Sequence, residues 1–383
     1  MTLNRNRPNV ATWMIVAAAV ATMSLSTRIA RSDDQANGSA VGSAYMQTNM
    51  VADDTSVVPA AIEDPRLVNA WGLAFGPTTP FWINDNGSGL STLYRYNTMT
   101  GLVDVLPEPS VVIPPPSVNA GGTAAPDGIV FNPNNLFAPH PEFDGDIFIF
   151  ATEDGTLSGW QPSDGDNAAL RLDNLQFPNG PVYKGLAMAT DNGNDELFAT
   201  NFRSGKVDVF DVNYMPVRLG KDAFVDKKLP KGYGPFGIAN IDNLLYVTYA
   251  LQDDEKHDDV KGPGHGFVDI YKPNGKLMKR FASRGTLNSP WGITMSPNTG
   301  FGTANSAILI GNFGDGGIGV YNKGTGKFQE FLSDSNGDSI AVDGLWALSF
   351  GNGSAAGPTT TLFFTAGPNG ESNGLFGKIE LAN

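Results

Sequence analysis

Cysteine is absent from the 383 residues, which excludes disulfides, thiolate metal sites, a cysteine nucleophile and lipid attachment through a thiol. The fold must rest on packing and strand pairing alone. Histidine is scarce, with three in the chain, and this argues against a proton-transfer site rich in imidazole. Basic charge is also short: 25 Lys and Arg stand against 39 Asp and Glu, a net charge of −14 with no basic stripe. Such a surface disfavours nucleic acid as a partner and suits the solubility of an exported protein.

Long apolar runs are missing as well. The stretch from Met14 to Leu25 is 12 residues, well under the ~20 that a membrane-spanning helix needs. It follows Arg5 and Arg7, in the order of a charged and then an apolar region of an export signal. Residues 1–31 are therefore read as a signal peptide and 32–45 as a polar linker. Arg28 and Arg31 follow the apolar run, and either Ala30 or Ala44 offers an end to the segment. The expected location is secreted or periplasmic, with no membrane insertion after cleavage. No Gly-rich nucleotide loop in a strand-turn-helix context is found, and no Gly-x-Ser-x-Gly elbow.

What is abundant is glycine, 46 residues, with 26 prolines, a load that fits a turn-dense all-β chain. Five of these glycines, and an alanine in the sixth place, carry one repeated phrase. It reads Ala70-Trp71-Gly72-Leu73, Asp127-Gly128-Ile129, Lys184-Gly185-Leu186, Phe236-Gly237-Ile238, Trp291-Gly292-Ile293 and Trp346-Ala347-Leu348. The steps between Gly72, Gly128, Gly185, Gly237, Gly292 and Ala347 are 56, 57, 52, 55 and 55 residues. A steady period of this size means a repeat architecture. Each phrase is followed by further short runs rich in β-branched and aromatic residues, separated by Gly, Asn, Asp and Pro. Three or four short strands per period, six times over, describe a six-bladed β-propeller spanning 46–383. The last repeat shows three evident strands, so the alternating run Met46–Val51 is assigned as the strand that completes it and closes the ring.

Antiparallel strands reverse direction, so the start of each inner strand and the end of each second strand lie on one face of the disc. The inner-strand starts are Trp71, Asp127, Lys184, Phe236, Trp291 and Trp346. The tryptophans read as packing between blades, or as an aromatic floor for a flat ligand. Asp127 and Lys184 read as an ion pair tying two blades, or as an acid/base pair near the axis. Aligning second-strand ends by residue type gives Asp85, Glu153, Asn201, Tyr249, Asn312 and Ala366. Carboxylates and amides at equivalent places suit a hard cation such as Ca²⁺, Mg²⁺ or Mn²⁺, although Asp and Asn are also good turn formers. In the fourth repeat the loop 250–265 swells and holds His257, His265 and five acidic residues. Long insertions on one face of a repeat protein often mark the binding side, and His with carboxylates suits Zn²⁺, Mn²⁺ or Fe²⁺ better than Ca²⁺. The alternative is a solvated charged loop. His140 reads as an ordinary loop residue.

The Trp-Gly phrases, with Trp82-Ile83-Asn84-Asp85-Asn86-Gly87, resemble the NHL-type and gluconolactonase-like six-bladed propellers. A wider set resembles a family of secreted bacterial propeller proteins of unassigned function: Gln47-Thr48-Asn49-Met50-Val51, Leu67-Val68-Asn69, Lys256-His257-Asp258-Asp259-Val260 and Gly374-Leu375-Phe376-Gly377-Lys378-Ile379. The resemblance implies export and a propeller, and no reaction. The gluconolactonase-like relatives hold a divalent cation at the channel with Glu, Asn and Asp. Glu153, Asn201, Asn312 and Asp85 are the matching residue types here.

Two functions follow. The first is an exported, monomeric binding module that takes a small molecule or an envelope or extracellular partner on one face of the channel. The second is a divalent-metal-dependent hydrolase or lyase of the lactonase kind. There the cation (Ca, Mg, Mn or Zn) would be held by Asp85, Glu153, Asn201, Asn312 and His257, with Asp127, Lys184 or His265 as acid/base groups.

Overall fold

Short β-rich runs that recur at a fixed period between turn residues can bury their apolar faces as small antiparallel sheets stacked face to face around an axis, and this chain does so. A computed structural model of the chain describes residues 42–134, 141–174 and 180–382, and Gly42–Asn383 forms one compact unit. The expected signal segment, the greater part of the linker and His140 lie outside the described residues. Among the described residues no helix is long and apolar enough to cross a membrane.

Two strands precede the first repeat, β1 (Tyr45–Ala52) and β2 (Ile62–Glu63). Blade 1 follows with β3 (Ala70–Ala74), β4 (Phe81–Asp85), β5 (Leu90–Asn97) and β6 (Leu102–Val112). Blade 2 holds β7 (Pro126–Phe131), β8 (Phe148–Thr152), β9 (Thr156–Trp160) and β10 (Ala169–Asp173). Blade 3 has three strands among the described residues, β11 (Tyr183–Asp191), β12 (Asn194–Asn201) and β13 (Lys206–Phe210). Blade 4 comprises β14 (Tyr233–Ile241), β15 (Leu244–Leu251), β16 (Phe267–Tyr271) and β17 (Leu277–Ser283). Blade 5 comprises β18 (Pro290–Met295), β19 (Ala307–Asn312), β20 (Ile318–Asn322) and β21 (Phe328–Phe331). Blade 6 is β22 (Leu345–Phe350), β23 (Leu362–Ala366) and β24 (Leu375–Leu381), and β1 pairs antiparallel with β24 from Tyr45↔Leu381 to Ala52↔Leu375.

The repeated phrase makes the same backbone feature six times. In every blade the pairing of the first two strands slips at this phrase, between Ala70 and Leu73, Pro126 and Ile129, Tyr183 and Leu186, Pro235 and Ile238, Pro290 and Ile293, and Leu345 and Leu348. A bulge of this kind turns the inner strand and re-aims its side chains. It also brings each inner strand against the next. A Cβ on Gly72 would collide with the Asp127 carbonyl oxygen, one on Gly237 with that of Trp291, and one on Gly292 with that of Trp346. Glycine is needed there because a neighbouring backbone fills the space.

Side chains from the second strands fasten carbonyls at this same place in the phrase across the seams. Thr200 donates its hydroxyl to the Phe236 carbonyl at 2.7 Å, Asn84 reaches that of Asp127 at 3.3 Å, and the Thr365 hydroxyl reaches Trp71. Between the sheets, aliphatic and aromatic layers such as Ile149, Leu157, Leu197 and Phe210 are fully or almost fully buried. Blades therefore hold each other as a layer of sheets, as a cysteine-free chain requires.

Candidate axial site

The bulge points the residue before each glycine toward the axis. Trp71 and Trp346 stack with ring centroids 3.5 Å apart, and Trp346 stacks on Phe313 at 3.8 Å. Trp291 meets both tryptophans edge-on, and Phe202 and Phe236 complete the group. Contributed by blades 1, 3, 4, 5 and 6, this is one aromatic plug across the axis, which is the packing between blades expected of the tryptophans. Trp291 donates its indole N–H to the Lys184 carbonyl at 2.6 Å, linking the plug to blade 3.

Lys184, the residue before Gly185, is 2% exposed and lies above this plug with its Nζ 5.2 Å from the Trp71 ring centroid, within cation–π range. The ammonium donates to Glu153 of blade 2 and to Asp258 of the blade-4 loop, the latter at 3.1 Å. Burial pulls the Lys184 pKa down, but Glu153 and Asp258 outweigh it, and the net result is a rise above the ordinary lysine value. A buried ammonium stays charged only when it is paired in this way. His257 Nδ1 lies 2.9 Å from the same Asp258 oxygen. Asp258 holds the imidazole pKa above its usual value, and His257 in turn, ahead of Lys184, holds the Asp258 carboxyl well below its own.

A wider polar network surrounds this centre. Asn86 donates to Glu153 at 3.0 Å, Asn69 donates to Glu371 at 3.0 Å, and Trp346 donates its indole N–H to Asn69 at 3.0 Å. Burial, then repulsion from Glu153, raises the pKa of Glu371. Asp154 is raised first by burial, and Glu153 adds to it. Three ionisable carboxylates, Glu153, Asp258 and Glu371, thus share the surroundings of one ammonium, with Asp154 beside Glu153.

Three of the candidate site residues, Glu153, Lys184 and His257, meet here above the tryptophans; Asp85, Asp127, Asn201, His265 and Asn312 do not join them. Asp127 and Lys184 do not form an ion pair, because the Lys184 ammonium is taken up by Glu153 and Asp258. Asp127 is fully buried, accepts from the Gly128 N–H, and its Oδ2 has no hydrogen-bond partner among the described residues. Burial, then Glu153, pushes its pKa well above the carboxylate range. The Trp71 Nε1 donor, in the same ring, is also buried without a partner among the described residues. His265 is not in the cluster: its Nδ1 lies 2.8 Å from the Val260 carbonyl and its ring folds onto its own loop.

Asp85, Asn201 and Asn312 do not join Glu153, and the reason is register. Ala70 pairs with Asp85, Tyr183 with Asn201 and Pro290 with Asn312, but Pro126 pairs with Thr152. Thr152 is the true counterpart of Asp85, and Glu153 lies one residue further on. Side chains alternate along a strand, so the ring facing the axis is the following one: Asn86, Glu153, Phe202, Ala250, Phe313 and Gly367. The residues of the other ring are consumed inside their blades. Asn201 donates to Asp208 at 2.8 Å, and Asn312 donates to the Thr286 carbonyl at 2.8 Å. Asp85 is fully buried in blade 1, where burial pushes its pKa well above the usual range.

For a metal, the candidate ligands are Glu153, His257 and Asp258, whose ligand atoms lie within 4.8 Å of one another. Their donor set suits Zn²⁺ or Mn²⁺. The Lys184 ammonium already bridges both carboxylates, so an ion there would compete with it for them.

No protein-family model matches the chain. Among solved structures it is similar to a virginiamycin B lyase from Staphylococcus aureus, at 15% identity and a TM-score of 0.50, covering 88% of this chain and 99% of that one. A streptogramin B lyase structure aligns over 88% and 97% at 14% identity, also with a TM-score of 0.50. These likenesses are of fold. In sequence, an uncharacterized protein of Acanthamoeba polyphaga mimivirus is 27% identical over 350 residues, covering 88% of this chain and 86% of the relative. A second uncharacterized protein of the same virus is 31% identical over 335 residues, 84% of this chain and 76% of its own length. On the strength of that match, this chain, a six-bladed β-propeller, belongs to the family of that mimivirus protein.

Proposed function

We propose that the chain is an exported binding module whose axial face, formed by Glu153, Lys184, Glu371 and the loop 250–265, receives the positively charged group of a small organic molecule. One observation carries this reading: the single buried ammonium of Lys184 is paired with Glu153 and Asp258, and Glu371 lies close enough to feel both Glu153 and Lys184. Burial first and repulsion from Glu153 second raise the pKa of Glu371, and Lys184 offsets only part of that rise. An ammonium or guanidinium entering beside Glu371 relieves that repulsion. Asp127 Oδ2 and Trp71 Nε1 in the same ring are buried without a hydrogen-bond partner among the described residues. Export rests on the Arg5, Arg7 and Met14–Leu25 pattern alone.

Agmatine is a suitable probe, read by tryptophan fluorescence, because three of the six tryptophans form the plug. A saturable change is expected, weakened about tenfold or more in the Glu153→Gln, Glu371→Gln double variant. Absence of a saturable response, or one indifferent to the double variant, defeats the reading.

The second reading is divalent-metal chemistry of the hydrolase or lyase kind, supported by the Glu153, His257 and Asp258 grouping. A bound divalent ion supplies Lewis acidity; Glu153, His257 and Asp258 would hold it. Lys184 weighs against it, since the ion must outcompete a resident cation that is itself held by two carboxylates. Elemental analysis of the purified protein separates the two, with one equivalent of metal favouring the second.

A further inference from the structure

The other end of the axis has a different chemistry, which the charged face does not use. The residue after each repeated glycine forms a ring of six aliphatic side chains: Leu73, Ile129, Leu186, Ile238, Ile293 and Leu348. These line a cavity of about 130 Å³ together with Trp291 of the plug. A wider mouth of about 320 Å³, with Phe75, Phe131 and Met188 at its rim, shares Ile129, Leu186, Ile238 and Ala239 with it. The two are parts of one funnel.

Its lining contains no Asp, Glu, Lys, Arg or His, in a chain with 64 Lys, Arg, Asp and Glu. Polar groups are present all the same. The inner strands themselves pack on one another, and the polar side chains of the lining are those of Asn240 and Ser349 at the mouth. The walls are aliphatic and aromatic, the hydrogen-bonding side chains are a neutral amide and a hydroxyl, and charge is absent from the lining. An apolar cavity of about 150 Å³ is large enough for benzene, close to the size of the inner part.

We infer that this funnel is a second binding site, for a neutral molecule with an apolar ring and one hydrogen-bonding group. The ring lies against the aliphatic girdle and the polar group meets Asn240 or Ser349 at the mouth. A charged analogue of the same shape would be desolvated with no counter-charge in the lining, which costs more than the ring contributes.

Benzamide and benzoate form the matched pair of probes, followed by ligand-observed NMR on the whole protein. Benzamide is expected to bind saturably, and benzoate at least about tenfold more weakly. Ala239→Phe, which fills the volume shared by the two parts of the funnel, is expected to abolish benzamide binding while leaving the agmatine response of the opposite face intact. Should Ala239→Phe fail to fold, Ser349→Phe at the mouth serves the same purpose. Equal binding of both probes, or benzamide binding unchanged in a folded filling variant, overturns the inference. Because agmatine reads the other face, loss of this site and loss of the proposed cation site are distinguishable.

Discussion

Lys184 on blade 3 and Glu153 on blade 2 form an ion pair across a blade seam, and the ammonium is 2% exposed while Glu153 is 12% exposed. The pair stands one step above the tryptophan plug and is closed from outside by Asp258, which is 67% exposed. Removing one partner of a buried pair leaves an uncompensated charge. Lys184→Met is therefore expected to lower unfolding stability by about 3 kcal/mol, at the low end of such losses because Asp258 is solvated. In a double-mutant cycle with Glu153→Gln, the coupling is expected near 2 kcal/mol. A coupling near zero in urea unfolding would mean that the pair is not formed.

The same substitution has a second consequence. With the resident ammonium gone, Glu153, His257 and Asp258 are left as three ligands with atoms within 4.8 Å of one another. Zn²⁺ is expected to bind Lys184→Met more tightly than the parent protein, and calorimetric titration of the two compares them directly. Tighter binding to the parent protein would show that Lys184 is not competing for those carboxylates.

Glycine at the repeated position is a packing requirement with a graded response. Gly72→Ala and Gly237→Ala place a methyl group into the next blade's carbonyl and are expected to cost about 3 kcal/mol or more. Ala347 occupies the corresponding place in blade 6, so Ala347→Gly is expected to cost no more than about 1 kcal/mol. Thermal unfolding of the three variants gives the order. An Ala347→Gly variant as damaged as Gly72→Ala contradicts it.

This contrast also explains what could be read from the sequence. The glycine period exposed six repeats because each blade has to let the next backbone approach, a demand that leaves a mark at one position. Lys184 and the tryptophans were legible for the same reason, since they sit one residue before that mark. Glu153 was found by a route that misplaced its companions. Asp, Asn and Glu all populate turns, so matching by residue type put Glu153 beside Asp85, whereas the pairing of Pro126 with Thr152 shifts it by one. Asn86 lay in plain sight, one residue after Asp85. Glu371 had no repeat position to announce it, because it lies in the turn between β23 and β24 and is brought in by Asn69. Asp258 was inside the swollen loop, but nothing in the sequence indicates which of its acidic residues bends back to Lys184.

Asp127 offers a pH test. Its folded pKa is raised, so the folded chain holds this proton more tightly than the unfolded one. The stabilising contribution of the group is full below its unfolded value of about 4 and is lost as pH rises through the folded value. Asp127→Asn, which carries no charge, is expected to gain on the parent protein in melting temperature as pH is raised from about 4 toward 8. A difference that stays constant with pH would show that Asp127 is not buried as a protonated acid.

His257 titrates in the opposite chemical sense. Asp258 raises its folded pKa, so the attraction that holds the loop is present below the unfolded value of about 6.5 and is lost as pH rises through the folded value. NMR titration is expected to place His257 above the ordinary histidine value, and Asp258→Asn is expected to bring it down. An unchanged midpoint in that variant contradicts the contact.

The most direct measurement is a crystal structure of the protein soaked with agmatine. The account predicts a guanidinium or ammonium group on the axial face, bonded to Glu371 and Glu153 beside Lys184 and above Trp71. Agmatine bound elsewhere, or a metal ion at Glu153, His257 and Asp258 with Lys184 turned away, would contradict it.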